Sequence, residues 1–366
     1  MRPLPDFPWD LLAPYKERAT AHGLIDLSIG TPVDPVPALI QQALADASDA
    51  HGYPTTHGTP ALRASISGWM RRRLEVDIDP SAILPTIGSK ELVASLPFQL
   101  GLGPQDVVAI PAIAYPTYDV GAKLAGAHVV TADGVDELEA ARVRAEAAGR
   151  RLRLVWLNSP SNPTGAVLPV DVLRDIVTWS RTHGILVAND ECYIELGWDV
   201  QPVSIMHPDV VGDRHDGVLA VHSLSKRSNL AGYRAAFVTG DPQVIRALLE
   251  LRKHSGLMLP GPVQSAMAAA CDDDDHVVEQ RSRYAQRRSA LRSALTAAGF
   301  TVTHSEAGLY LWATRNEDCW DTVGWLADRG ILVAPGAFYG QAGRQHIRMA
   351  MTGTDSNVTS AVDRLR

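Results

Sequence analysis

Between residues 107 and 239 the chain repeats one pattern, a short apolar run followed by a turn and then, in several places, by a segment with apolar residues at helical spacing. The runs are Val107 to Ile110, Val129-Val130, Leu152 to Leu157, Ile185 to Ala188, Val218 to Val221 and Ala235 to Thr239, each of strand length. The clearest helix between them is Val170 to Thr182, where Val172, Leu173, Ile176, Val177 and Trp179 form one stripe and Gly184 supplies the stop. Strands lacking polar alternation need cover on both faces, so the pattern predicts an α/β domain on a largely parallel sheet. Ligands of such sheets collect at the carboxyl ends of the strands.

The flanks read differently. Upstream, Leu62, Ile66, Trp69, Met70 and Leu74 mark an amphipathic helix over Ala61 to Val76. Downstream come long helical patterns, Pro242 to His254, Pro262 to Ala270 and Val277 to Ala298, then strand-like runs at Gly308 to Ala313, Ile331 to Ala334 and His346 to Met351. That tail predicts a smaller α+β domain, and 366 residues with 46% hydrophobic content suffice for two cores. We expect residues 1–40 to pack with the small domain, 41–255 to form the large domain and 256–366 the small one. Asp272 to Asp275 reads as an acidic turn between helices.

A net charge of -7 argues against a nucleic-acid surface, which needs clustered Lys and Arg. Arg71-Arg72-Arg73 and the arginines from Arg281 to Arg292 fall in helical patterns and read as solvated faces. No apolar run is long enough to span a bilayer, and Met1-Arg2-Pro3-Leu4-Pro5-Asp6 has no signal-peptide core, so a cytoplasmic protein is expected. Cys192, Cys271 and Cys319 have neither disulfide nor zinc-ligand spacing, and no metal is expected.

The chemistry-bearing residues fall at strand ends and turns. Ser223-Leu224-Ser225-Lys226-Arg227-Ser228-Asn229-Leu230-Ala231-Gly232-Tyr233-Arg234 offers an amine nucleophile beside donors for a dianionic phosphate. Taken alone, such a run is usually a solvated turn. Gly88-Ser89-Lys90-Glu91 precedes a helical pattern from Leu92 to Leu100, so its amides face either an anion or only their own cap. Asn158-Ser159-Pro160-Ser161-Asn162-Pro163-Thr164-Gly165 is a turn after one strand. Asp190 ends another, beside Glu191 and three residues before Tyr193. Tyr115 and Tyr118 follow the first, and Arg348 lies in His346-Ile347-Arg348-Met349-Ala350.

In this order the motifs resemble those of class I/II, fold-type-I aminotransferases over nearly the whole chain, from Gly30 to Arg348. The resemblance implies pyridoxal 5'-phosphate and a large domain with a mostly parallel, seven-stranded type of sheet plus a small α+β domain. It implies that Lys226 forms the Schiff base and moves the proton between substrate Cα and the cofactor. Asp190 would pair with the pyridine nitrogen, and Tyr193 and Asn162 would contact the phenolic oxygen. Gly88, Ser89, Lys90, Ser223, Ser225 and Arg234 would hold the phosphate, and Tyr115 would stack on the ring. Arg348, Gly30 and Asn162 would take the substrate carboxylate. Tyr53 would reach the cofactor phosphate of a partner subunit, which implies a homodimer. Ala236 departs from the family pattern, where glycine is usual.

Phe7-Pro8-Trp9-Asp10, the segment Asp26 to Pro37 and Gly88 to Glu91 are similar to succinyldiaminopimelate aminotransferases of the lysine pathway. That similarity implies glutamate as donor and N-succinyl-2-amino-6-ketopimelate as acceptor. Arg227, Lys90 and Arg252 are candidates for its distal carboxylates, with a structural role favoured for each. The alternatives are an aminotransferase for aspartate, aromatic or other amino acids, and a pyridoxal C–S lyase. A noncatalytic regulator is disfavoured, since too few residues precede Gly30 for a DNA-binding module.

Overall fold

The computed structural model describes residues 4–366; Met1, Arg2 and Pro3 of the expected N-terminal segment lie outside the described residues. Among these, the strands are β1 (Ile25–Asp26), β2 (Ile83–Ile87), β3 (Asp106–Ile110), β4 (His128–Thr131), β5 (Arg151–Asn158), β6 (Leu186–Asp190), β7 (Val218–Ser223), β8 (Ala235–Gly240), β9 (Thr301–Thr303), β10 (Tyr310–Thr314), β11 (Ile331–Leu332), β12 (Ala334–Pro335) and β13 (Ile347–Ala350). Seven of them form one sheet in the order β2-β8-β7-β6-β5-β3-β4. From β7 to β4 all neighbours are parallel. β8 runs antiparallel to both β7 and β2. The expected α/β class is therefore present as a mixed sheet.

Helices cover both faces. On one, Pro60–Leu74 buries the expected stripe of Leu62, Ile66, Trp69, Met70 and Leu74 against a core that includes Val218 and Phe237. The helix starts where the Thr59 hydroxyl accepts from the Leu62 amide at 3.1 Å and Pro60 presets the first turn. On the other face Leu92, Val93 and Leu96 pack with Trp156, Leu219 and Val238. β2 has no counterpart among the apolar runs read from the sequence. Pro85 interrupts it, which the sheet accommodates because β2 is an edge strand.

The small domain holds an antiparallel sheet in the order β12-β13-β10-β9. The single strand expected over Ile331 to Ala334 is instead two, β11 pairing with β1 and β12 with β13. Ile25 and Leu27 thereby enter the core of Leu311, Val323 and Ile347. Gly261–Asp272, on the C-terminal side of the 255/256 division, buries Ala266, Met267 and Ala270 in the same core as Ile40 and Ile66.

A polar clamp ties the N-terminal segment to the helix Asp275–Ala297. Arg287 donates to both oxygens of Asp34 at 2.7 Å and to Asp355 at 2.7 Å, and Gln280 donates to Asp34 at 2.8 Å. Burial raises the Asp34 carboxyl, but hydrogen bonds from Arg287 and Gln280 outweigh it and leave the pKa lowered. A lowered folded-state pKa adds stability above the ordinary carboxylate range, which is lost as pH falls. Asp34→Ala is expected to cost about 3 kcal/mol at neutral pH, read as a lower melting temperature, with the gap to wild type closing in acid.

No helix among the described residues is long and apolar enough to cross a membrane. Cys192, Cys271 and Cys319 are unpaired.

Candidate active site

The parallel strands β5, β6 and β7 deliver Asn158, Asp190 and Ser223 at their carboxyl ends. β8 runs the opposite way, so the residue before it, Arg234, arrives at the same end; β2, reversed again, brings Gly88 there. A cavity of about 360 Å³ opens at this edge. Its walls include Gly30, Ser89, Lys90, Tyr115, Asn162, Asp190, Tyr193, Ser223, Ser225, Lys226, Arg234 and Arg348 of the expected set. Gly88 stands directly behind, where an added Cβ would come within 2.0 Å of the Arg234 guanidinium. Tyr53 is not brought to this cavity and is 96% exposed.

One end of the cavity is built for an anion. Ser89 begins an eleven-residue helix after Gly88, whose φ of +80° is left-handed. Its first amides have no helical acceptors to face and carry the positive end of the dipole. Opposite, Ser223 caps the turn Leu224–Arg227, its hydroxyl accepting from the Ser225 amide at 3.1 Å and donating to the Ser225 hydroxyl at 2.9 Å. The Arg234 guanidinium is exposed at this end and donates to Ala231 O at 2.7 Å. Ala236 sits in β8 between Thr86 and Ser223.

At the cavity floor Asp190 is buried, and among the described residues no cation pairs with it. It accepts from the Tyr118 hydroxyl at 3.0 Å and from the Cys192 amide at 3.1 Å. Burial raises its pKa against those hydrogen bonds. A carboxylate in this state gains most from an N–H cation. Lys226, whose amine donates to Gly30 O, has its pKa lowered, chiefly by burial. Loss of the ammonium charge is what a nucleophilic or proton-carrying amine requires. Tyr193 and Tyr310 share a hydroxyl contact at 3.2 Å. Burial raises Tyr193; in Tyr310 the pull of Arg348 and Lys226 overcomes burial and lowers it.

Arg348 is 2% exposed and no carboxylate pairs with it among the described residues. It donates to Asn162 Oδ1 at 2.8 Å and Ser28 O at 2.7 Å, while its Nε has no hydrogen-bond partner among the described residues. Its guanidinium lies 3.9 Å from the Tyr310 ring centre. A buried cation with unused N–H groups on a cavity wall is a receptor for a carboxylate. Asn162 is held in turn by its amide, which donates to Asn158 Oδ1 at 2.7 Å.

Tyr310 was not read from the sequence as a site residue, since nothing separates it from the other core positions of its strand. It closes on Gly30, where a Cβ would lie 2.2 Å from the Tyr310 hydroxyl. Tyr118, which follows the same strand as Tyr115, stacks on Trp156 at 5.1 Å and bonds Asp190. Phe7 and Trp9 line the mouth beside Lys90. Arg227 pairs with Glu195 at 2.7 Å and Arg252 with Glu91 at 2.8 Å, and neither lines the cavity.

Residues 22–365 match a family model described as aminotransferase class I and II. A 4-dedimethylamino-4-oxo-anhydrotetracycline transaminase of Streptomyces rimosus is 58% identical, with 100% of both chains covered. A probable aminotransferase of Mycobacterium tuberculosis is 57% identical over 99% of this chain and 85% of its own. Among solved structures, a probable N-succinyldiaminopimelate aminotransferase of Thermus thermophilus gives a TM-score of 0.86 at 26% identity, over 98% of this chain and 99% of that one.

Proposed function

The chain belongs to the class I and II aminotransferases, and from that premise we propose that it moves the amino group of glutamate to N-succinyl-2-amino-6-ketopimelate. Pyridoxal phosphate is the family's cofactor. The residues present fit it: a serine- and amide-lined anion site, a buried carboxylate with no cation paired to it among the described residues and a buried amine share one cavity. When bound, the cofactor supplies an electron sink for charge developing at the substrate Cα.

The observation that carries the reading is Arg348, a buried guanidinium that no carboxylate pairs with among the described residues, lining the cavity that also holds Lys226. Arg348 takes the substrate α-carboxylate and so fixes which Cα bond faces the lysine. The Lys226 amine removes the Cα proton and returns it on the other side of the exchange. Asp190 holds a proton at the ring nitrogen, with Tyr118 and Cys192 fixing the carboxylate. Asn162, oriented by Arg348 through its Oδ1, keeps its N–H groups for the phenolic oxygen, as does the Tyr193 hydroxyl. Ser89, Ser223, Ser225 and Arg234 take the phosphate.

A homodimer follows if Tyr53, exposed and away from its own cavity, serves the partner's site. A cytoplasmic setting accords with three unpaired cysteines. The acceptor rests on the motif similarity given above and on the likeness to the Thermus thermophilus enzyme. Lys90, at the mouth, is the cation available to a distal carboxylate.

A ring-bearing ketone is the second reading. Phe7, Trp9 and Tyr115 make the mouth aromatic, and the Streptomyces rimosus relative is named for a tetracyclic ketone. A glutamate-coupled assay across acceptors, reading 2-oxoglutarate, decides between them. The succinylated ketopimelate is expected to have the highest kcat/KM; a higher value for 4-oxo-anhydrotetracycline or for the aspartate and aromatic keto acids overturns that choice. Release of pyruvate and ammonia without an acceptor would instead mark a lyase.

A further inference from the structure

Behind the site, on the opposite face of the strand end, lies a buried acid and imidazole that the mechanism above does not use. Successive strand residues point to opposite faces, so Asp190 meets the cavity while Glu191 points away from it. Glu191 Oε2 lies 3.5 Å from His222 Nε2, with side-chain exposures of 0% and 2%. Among the described residues neither of these atoms, nor His222 Nδ1, has a hydrogen-bond partner. The other oxygen, Oε1, accepts from the Ile205 amide at 2.6 Å and from Asn189 at 3.0 Å. The imidazole is fixed by stacking on Phe237 at 4.9 Å and by the edge of Trp69 at 5.3 Å.

We propose that Glu191 is a proton-carrying positioning residue: its buried carboxyl, facing His222, is held in the neutral form, so that no second negative charge stands behind Asp190. A carboxyl with 0% side-chain exposure, with Asp190 beside it and no Lys or Arg paired with it among the described residues, is costly to ionise. The groups facing Glu191 identify where that proton sits. From its own segment these are Asp190 and Cys192, and from β7 His222 alone. Arg227 in the following turn is engaged by Glu195, which also pairs with Arg73 at 3.0 Å. The helix Pro60–Leu74 offers the Trp69 ring, β8 offers Phe237, and the Ser204–Ile205 loop offers neutral donors. Burial, with a contribution from Asp190, pushes Glu191 up to about 7. Burial and Arg227 push His222 down to about 3. Both directions leave the proton on Glu191.

As pH rises through neutrality the Glu191 O–H breaks, the proton passes to solvent, and a buried charge appears one residue from Asp190. That charge raises the proton affinity of whatever Asp190 holds. The inference rests on the reading of Asp190 as the partner of the cofactor nitrogen, but the protonation of Glu191 is measured without it. In pH-difference infrared spectra of the holoenzyme, a carboxylic-acid C=O band is expected that fades on raising the pH through about 7. It should be missing in Glu191→Gln and keep its intensity but shift its midpoint in His222→Phe. The visible absorbance of bound cofactor should show a step at that midpoint, lost in Glu191→Gln. Absence of the band in wild type, its persistence in Glu191→Gln, or an unchanged absorbance step in that variant overturns the proposal. Failure of the aminotransferase reading would appear separately, as a normal band in an enzyme without amino transfer.

Discussion

Lys226→Ala is expected to abolish multiple turnover while leaving the fold and the phosphate site intact. The amine lines the cavity with its pKa lowered by burial, and in the proposed function its removal would take away the attachment point and the proton carrier together. Proton transfer by a placed side chain alone is worth about 10²–10⁴-fold. Borohydride treatment of wild type should fix the cofactor to the chain, giving a mass increment at the peptide containing Lys226. In the variant the increment should vanish although the cofactor still binds, since Ser89, Ser223, Ser225 and Arg234 remain. Normal transamination by Lys226→Ala would sink the assignment.

Arg348→Ala is expected to weaken the use of every α-amino acid donor. Truncating one side of a buried, hydrogen-bonded charge pair costs roughly 2–5 kcal/mol. In kcat/KM that is about 30-fold to several thousand-fold. Amine donors lacking an α-carboxylate should be affected far less, which separates lost recognition from general damage. Arg348→Lys should recover only part of the loss, because a lysine keeps the charge but not the planar fork that bonds Asn162, Ser28 and a carboxylate together. Equal donor affinities in wild type and Arg348→Ala would remove this residue from the site.

Much of the architecture was legible because burial on two faces leaves a plain mark. The runs at Val107 to Ile110, Leu152 to Leu157 and Val218 to Val221 are strands within a residue or two of their read limits. β2 was not legible, since Pro85 breaks the pattern that identifies a strand and only its edge position makes it admissible. The division of Ile331 to Ala334 into β11 and β12 was hidden for another reason: an apolar run records that it is buried, not which neighbour it joins. In the site, residues announced by a turn or a terminal charge were found in the sequence, such as Lys226, Asp190, Asn162 and Arg348. The contacts of Tyr310 and Tyr118 were not legible because their partners, Gly30 and Asp190, are distant in the chain and only the fold introduces them.

The reversal of β8 gives the two ends of the large sheet unequal freedom to change. Lys226 and Arg234 reach the same cavity from the two sides of one connection, leaving β7 and entering β8. The length of that connection is therefore a ruler for the distance between an amine and an anion site, and an inserted or deleted residue would put the two out of step. At the far end, the stretch around Asp213 and Arg214 before β7 faces no such constraint. Drift in length among descendants of this chain should accumulate there and leave the eight-residue spacing from Lys226 to Arg234 untouched.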